Sequence, residues 1–280
     1  MSHELIIRRE RRFEAGEVRC GTGEPDMALL GPIQGWCISF PRLPLKLKRT
    51  GSAAFLADGT TALNLARGAV LARRPLCAQG SRCHWIALSD EWLESARAQR
   101  YPARDDVFGR GTAVGLIKSV ALTLLERRFF RCAARSDAAD VDFGELAIGL
   151  LDAALAPLDA LRLTPGDRTL AQAARELLNA EPARVQRSVE LADRLGVSVC
   201  HLCRTFRRAI GLTIQEYSRR LRLEIALERL AERDVDLSML AFDLGFSSHS
   251  HFSSTFRKIF GLSPSDYREQ RRRGHRRAIA

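Results

Sequence analysis

The stretch LGFSSHSHFSSTFRKIFGLSP, Leu244 to Pro264, decides how the second half of this chain is read. Phe252, Phe256, Ile259 and Phe260 recur at helical spacing, so one face of a helix is apolar. Yet seven of the eight residues from Ser248 to Thr255 are Ser, His or Thr, which are mediocre helix formers. A surface helix selected for stability alone would carry Glu, Lys, Ala and Arg at those positions. The apolar face implies burial, and the short polar face implies contact with something outside the fold.

A second copy of the pattern lies upstream. ELADRLGVSVCHLCRTFRRAIGLTIQEY (Glu190 to Tyr217) aligns with MLAFDLGFSSHSHFSSTFRKIFGLSPSDY (Met239 to Tyr267). At an offset of 50, His201 meets His251, Thr205-Phe206-Arg207 meets Thr255-Phe256-Arg257, and Gly211 meets Gly261. Ahead of the turn the offset is 49, pairing Ala192 with Ala241 and Gly196 with Gly245, so the second turn holds one inserted residue. Two copies are too few for a solenoid. They are two small modules, each reading helix, glycine turn, helix. Ala192 and Ala241 allow close helix approach, Gly196 and Gly245 supply a positive-φ corner, and Ser198 and Ser247 are expected to cap the next helix. This is the helix-turn-helix layout, whose second helix enters the DNA major groove.

Thr213-Ile214-Gln215-Glu216 is a capping box opening a joining helix through YSRRLRLEIALERLAER, with Leu221, Ile225, Ala226 and Leu230 inward. Roughly 18 residues at ~1.5 Å each give about 27 Å. That suits two reading helices set about one DNA turn, ~34 Å, apart. Ser263-Pro264-Ser265-Asp266 starts a last helix. Behind the second reading helix Phe252, Phe256 and Phe260 are expected to be buried, leaving His249, Ser250, Ser253, Ser254 and Arg257 in front. Short polar side chains there let the backbone sit close to base edges and phosphates.

Upstream of about residue 160 the chain reads differently. LKLKRTG (Leu45 to Gly51) alternates apolar and basic residues, AAFLADGTTALNLA reads as a hairpin around Asp58-Gly59, and HWIALS (His84 to Ser89) closes a strand-rich region. Asp90 opens a short helix. Two helices are then expected, one from Gly111 to about Phe130 and one opened by Asp142 with Glu145 three residues on. The second carries the stripe Phe143, Leu146, Ala147, Leu150, Leu151, Ala154 and Leu155, which suits either its own barrel or a subunit interface. Pro157 and TPGD (Thr164 to Asp167) break the pattern. The expected organisation is residues 1–160, a linker at 161–168, and a helical domain over 169–280, beginning with a helix from Thr169 to Asn179.

The net charge of +11 is uneven. From Pro182 onward there are 19 Lys/Arg against 11 Asp/Glu, and the rest of the chain holds 25 against 22. The C-terminal third is thus the part that faces a polyanion. The tail REQRRRGHRRAIA reads as a solvated end or as further phosphate contacts. No apolar run approaches membrane-spanning length, and the N-terminus is too charged for a secretory signal, so a cytoplasmic protein with reduced thiols is expected. No phosphate-binding glycine loop, HExxH or nucleophile elbow occurs, which argues against an enzyme.

The region from Gly196 to Tyr267, with the phrase F-x-x-x-F-G-x-S-P-x-x-Y-R at Phe256 to Arg268, resembles the DNA-binding domain of AraC/XylS-type transcription regulators. The N-terminal region resembles their cupin-like regulatory half. The resemblance implies an α+β chain: a cupin-like β-barrel or sandwich with two following helices, then an all-α double helix-turn-helix domain. It implies a cytoplasmic, sequence-specific regulator of promoter DNA with a small-molecule effector in the barrel half, a homodimer, a contact with RNA polymerase, and no membrane partner or cofactor. The implied mode is activation, a choice that no residue of the chain decides. Carried over position by position, Cys200, His201, Cys203 and Arg204 face bases, with Arg207 and Arg208 at phosphates. In the second module His249, Ser250, Ser253 and Ser254 face bases, with Arg257 and Lys258 at phosphates. Cys at 200 and 203 and Ser at 254 depart from the family's habit, leaving Arg204 as the one long cation among the base-facing residues.

Two thiol clusters invite another reading. Cys200-His201-Leu202-Cys203 resembles half a zinc site with no second half. Cys77, Cys83 and His84, with Cys20 and Cys37 as neighbours across the barrel, suit a thiol- or metal-responsive regulator, the alternative to a small-molecule sensor. The plain reading of the barrel group is buried cysteines as inert small hydrophobes, and that of Cys200 and Cys203, with Leu202 facing the core, is thiols facing outward near DNA.

Overall fold

The computed structural model describes residues 2–21, 28–49, 54–77, 79–100, 113–134, 141–155, 164–184, 187–230 and 235–277. The chain separates into two compact units that divide between Ala154 and Leu155. The first is strand-rich with helices after the strands, and the second is helical, so the fold class is α+β.

In chain order the strands of the first unit are β1 (Ser2–Arg9), β2 (Phe13–Cys20), β3 (Ala28–Leu30), β4 (Cys37–Pro41) and β5 (Leu45–Arg49). Then come β6 (Phe55–Ala57), β7 (Thr61–Leu65), β8 (Leu71–Pro75), β9 (Ser81–Leu88) and β10 (Ala113–Ile117). They form a six-stranded sheet, ordered β1-β2-β9-β4-β7-β10, and a four-stranded one, β3-β8-β5-β6. All their pairings are antiparallel. Cys37, Leu63, Leu65 and Cys83 of the larger sheet meet Leu45, Leu47, Ala57 and Leu71 of the smaller in one apolar core. The opposite face of the larger sheet is covered by helices. After α1 (Asp90–Arg100), α2 (Val120–Ala133) and α3 (Phe143–Leu155) bring Phe129 and Phe143 onto Phe13. Phe143, Ala147, Leu150, Leu151 and Ala154 are all buried, so the α3 stripe packs within its own unit.

Two local expectations fail here. Asp58-Gly59 is not a hairpin tip: β6 pairs with β5 in the small sheet, while β7 pairs with β4 and β10 in the large one. Buried Asp58 Oδ1 accepts from the Thr60 backbone N–H at 2.8 Å and from the Thr60 and Thr61 hydroxyls at 2.6 and 3.3 Å. That Asx-type corner hands the chain from one sheet to the other. The helix expected from Gly111 starts only at Val120, capped by Ser119, whose Oγ accepts from Leu122 N–H at 3.0 Å. Leu116 and Ile117 belong instead to β10, whose pairing to β7 outweighs a local helical pattern. Gly111 itself lies outside the described residues.

The second unit consists of α4 (Pro165–Ala180), α5 (Ser188–Leu195), α6 (Val199–Ile210), α7 (Ile214–Arg229), α8 (Leu237–Asp243), α9 (His249–Phe260) and α10 (Pro264–Arg277). The expected break at Thr164-Pro165-Gly166-Asp167, placed in the linker, is the opening of α4. Thr164 caps it, Pro165 takes the first helical position, and Asp167 completes a reciprocal capping box. Residues 161–163 lie outside the described residues. Two apolar cores sit side by side. One holds Leu178, Leu191, Leu202, Phe206, Tyr217 and Leu221. The other holds Leu223, Leu227, Leu240, Phe252, Phe256 and Phe260.

The first unit also buries a chain of charges between β2, β9 and α2. Glu126 accepts from Lys118 Nζ at 2.8 Å and from Arg42 Nη1 at 2.9 Å. The same Arg42 Nη1 lies 3.1 Å from His84 Nδ1, and His84 Nε2 lies 3.1 Å from Glu17 Oε2. Burial alone would raise the Glu126 carboxyl, but Lys118, His84 and Arg42 outweigh it and hold it well below the usual carboxylate range. Removing that charge takes the shared carboxylate from two buried cations, so Glu126→Gln is expected to destabilise the first unit by about 3–5 kcal/mol. Because the folded-state carboxyl is depressed, its contribution is present above the ordinary carboxylate pKa and is lost as pH falls through the folded value. The variant should therefore lose the acid limb that Glu126 gives the wild type. Trp36, Trp85 and Trp92, the chain's three tryptophans, all lie in this unit. Urea unfolding followed by tryptophan fluorescence at neutral and acid pH measures the effect.

Candidate nucleic-acid interface

Each module is built from a short buried helix, a glycine corner and a longer helix whose back is apolar. In the first, Ala192 of α5 is fully buried, and Gly196 turns the chain with φ 67°. Ser198 Oγ then accepts from His201 N–H at 3.2 Å to open α6. In the second, Ala241 is fully buried and Gly245 has φ 73°. The cap of α9 is Ser248, not Ser247: Ser248 Oγ accepts from His251 N–H at 3.1 Å. The inserted residue moves the cap one place along, and Ser247 Oγ instead lies 3.0 Å from His251 Nδ1.

The backs of the two longer helices are sealed. Leu202, Thr205 and Phe206 of α6 are buried, as are Phe252, Phe256 and Phe260 of α9. Phe256 touches Phe252, Phe260 and Tyr267 at ring centroids 4.8 to 6.0 Å apart. What remains outward on α6 is Cys200, His201, Arg204, Arg207 and Arg208, with Cys203 half-buried on one flank. On α9 it is His249, Ser250, Ser254, Arg257 and Lys258, with Ser253 half-buried. The structure thus brings the anticipated residues of each helix to one side. Arg204 Nη2 reaches back one turn to Cys200 Sγ at 3.4 Å. On α9, Ser253 Oγ lies 3.3 Å from His249 Nε2.

Residues missed by sequence reasoning brace these helices. Arg222 of α7 donates to the Gly245 carbonyl at 3.1 Å and lies over the Phe246 ring, fixing the second corner. Asn179 Nδ2 and Arg175 Nε of α4 donate to Tyr217 Oη at 3.0 and 3.1 Å. Asp167 takes hydrogen bonds from Thr205 at 3.3 Å and pairs with Arg208 at 3.5 Å. One signal could have found Asp167. TPGD, TIQE and SPSD start α4, α7 and α10 at offsets of 49 and 50, so the capping box repeats with the modules. The three carboxylates stand below their usual range. The leading causes are hydrogen bonds from Thr164 to Asp167, from the Thr213 backbone to Glu216 and from Ser263 to Asp266. The side chains of the basic tail beyond Gln270 lie outside the described residues.

In the first unit Cys83 and His84 do not converge. Cys83 and His84 are neighbours on β9 and so point to opposite faces. Cys83 enters the core between the sheets, and His84 stacks on Phe130 at 4.0 Å. Burial pushes the Cys37 and Cys83 thiols up to about 12, far from a reactive thiolate. Burial also raises the Cys77 thiol, whose Sγ lies 3.2 Å from the Gly80 carbonyl oxygen. Among the described residues no three His, Cys, Asp or Glu groups are placed to hold a metal ion, and no helix is long and apolar enough to cross a membrane.

Residues 191–270 match the family described as "Helix-turn-helix domain". Over 81 residues the chain is 41% identical to the HTH-type transcriptional activator RhaS of Escherichia fergusonii, covering 29% of each protein. It is 30% identical to a transcriptional regulator of Chromobacterium violaceum described under AraC-type DNA-binding domain-containing proteins. That match covers 39% of this chain and 96% of the other, at a TM-score of 0.36. The C-terminal unit thus carries a helix-turn-helix domain similar to those of AraC-like transcription regulators. The chain spans less than a third of the length of RhaS. ToxT of Vibrio cholerae, solved with an unsaturated fatty acid bound, aligns over 94% of this chain and 97% of its own, but at 13% identity and a TM-score of 0.41. That likeness is too low to speak for a ligand of this chain.

The two corners differ in a way that substitution exposes. At Gly196 a Cβ meets nothing within 4 Å, so Ala is opposed only by the left-handed backbone, about 1–2 kcal/mol. At Gly245 a Cβ would fall 1.8 Å from the Ala183 carbonyl oxygen, so the α8–α9 corner must move. Gly245→Ala is expected to destabilise the second unit by roughly 2–4 kcal/mol, clearly more than Gly196→Ala. Thermal unfolding of the two variants followed by far-ultraviolet circular dichroism compares them.

Proposed function

We propose that this AraC-type chain is a cytoplasmic, sequence-specific transcription regulator that sets α6 and α9 into successive major grooves on one face of promoter DNA. The observation that carries the reading is the duplicated helix: capped at its start, sealed behind by Leu202 and Phe206 or by Phe252 and Phe256, and polar or cationic in front. Arg204 is the guanine reader of α6, with Cys200, His201 and Cys203 beside it. Arg207 and Arg208 hold phosphates. On α9, His249, Ser250, Ser253 and Ser254 meet base edges, and Arg257 and Lys258 hold phosphates. The 16 residues of α7 span about 24 Å, which suits helices one turn of DNA apart.

The first unit is the regulatory half. A small-molecule effector bound there changes the arrangement of the units or of two copies of the chain, and so must bind one arrangement better than the other. Homodimerisation and contact with RNA polymerase belong to this reading, and the activator RhaS supports activation as the outcome.

Selection from a random DNA pool with the full chain, at roughly physiological salt, tests it. Two short elements ~10 bp apart are expected. Arg204→Ala should erase the preference in one of them, a discrimination of about 1–3 kcal/mol, while leaving the other intact. Tight, salt-sensitive binding without enrichment would instead mark a non-specific binder.

A further inference from the structure

Among the described residues, Arg208 is the one cation on the outward faces of α6 and α9 that is held in an ion pair. Its partner, Asp167, lies outside the helix-turn-helix module, in the first turn of α4. The carboxylate is fixed from three sides. Thr164 N–H donates to Oδ2 at 3.3 Å, the buried Thr205 hydroxyl donates to Oδ1 at 3.3 Å, and Arg208 Nη2 stands 3.5 Å from Oδ2. The equivalent acids of the repeat do something different. Glu216 and Asp266 feel Arg207 and Arg257, the cations of the helix that precedes them, and among the described residues neither pairs within salt-bridge distance. Among the three, Asp167 is the acid that reaches forward, to α6, the outward-facing helix of the module that follows it. Its side chain is 12% exposed and that of Arg208 is 40% exposed, so the guanidinium can leave while the carboxylate stays.

We propose that Asp167 is an intramolecular competitor for DNA phosphate at Arg208, a fixed negative charge that lowers the affinity of the first module for any duplex. The inference rests on the DNA-binding reading above. The guanidinium that stands beside a carboxylate is drawn to a phosphate by the same charge and the same N–H donors, so one group can replace the other. When DNA arrives, Arg208 turns to the backbone and Asp167 remains beside it, offsetting part of the charge that would neutralise a phosphate. The effect is independent of sequence, because phosphates carry none.

The test is a salt titration of DNA binding by the full chain on a selected duplex and on a random one. Asp167→Asn removes the charge and keeps one side-chain oxygen, which can accept from the Thr164 N–H or the Thr205 hydroxyl but not from both. It should tighten binding to both duplexes about two- to fivefold, the range of one exposed pair. It should also steepen the slope of log K against log salt by up to about 0.9, the share of one further phosphate. The gain should vanish in an Arg208→Ala background. Thr164→Ala, which removes the cap and not the charge, should leave the slope unchanged. In the wild type, Arg208→Ala should weaken binding less than Arg207→Ala, a comparison that stands even if Asp167→Asn fails to fold. Unchanged or weaker binding by Asp167→Asn, an equal gain from Thr164→Ala, or equal losses from the two arginine variants would each overturn the proposal. Absence of DNA binding by the wild type would sink the DNA reading itself, and this inference with it.

Discussion

The helix α7 is the constraint from which the second unit takes its shape. Its first half gives Tyr217 and Leu221 to one core, its second half gives Leu223, Ala226, Leu227 and Leu230 to the other, and Ile225 touches both. A helix rises ~1.5 Å per residue whatever its sequence, so the separation of the two modules is set by the number of residues between their cores. Neither module has enough apolar surface to stand well alone. Burying both against one rigid beam stabilises each and fixes their spacing in the same step. The capping box at Thr213 and Glu216 places the start of that beam directly after the Gly211 corner that ends α6. The position of α6 is thereby tied to that of α9 through a single element.

That rigidity is what allows the outward faces to be so poor in helix formers. In α9 the intrinsic preference of His249, Ser250, Ser253 and Ser254 is weak, and a free peptide of this composition would not hold a helix. The aromatic back supplies what the front lacks: Phe252, Phe256 and Phe260 are almost wholly out of water, worth several kcal/mol in transfer terms. With the helix secured from behind, each front position is chosen for what it can touch. Function in the proposed regulator therefore lives in residues that do little for folding, and folding in residues that touch no ligand.

This division also governs what could be read from sequence alone. The double module was legible because its determinants are local or periodic: glycine at two positive-φ corners, Ser198 before a helix, an apolar residue every third or fourth place. The cap at Ser248 was misplaced by one because the inserted residue leaves two serines in a row, and only the backbone decides between them. Thr164-Pro165-Gly166-Asp167 reads as a breaker when taken singly, yet in register with TIQE and SPSD it is the third copy of a capping box. In the first unit the misreadings come from pairing. Asp58-Gly59 looks like a hairpin tip, but which sheet β6 and β7 join is decided by distant strands. Leu116 and Ile117 fit a helix until β7 claims them. Cys83 and His84 are adjacent in sequence, and strand alternation separates them. The buried chain from Glu17 to Lys118 was illegible because its members, from Glu17 to Glu126, are up to 109 positions apart and acquire meaning only when folded together.

The two modules, near copies in backbone, differ in chemistry more by geometry than by charge. α6 carries Arg204, Arg207 and Arg208 outward, and α9 carries Arg257 and Lys258. With Asp167 set against Arg208, each helix presents two cations outside any ion pair among the described residues. Arg207 and Arg257 hold the same repeat position, so what distinguishes the pair is Arg204 against Ser254. A guanidinium offers a planar, fixed array of donors, which matches one base edge and refuses others. A serine hydroxyl rotates to donate or accept, and fits many partners at similar energy. In the proposed regulator the first module would then select and the second tolerate. That division follows from two side chains at one equivalent position, on backbones that α7 holds in a fixed relation.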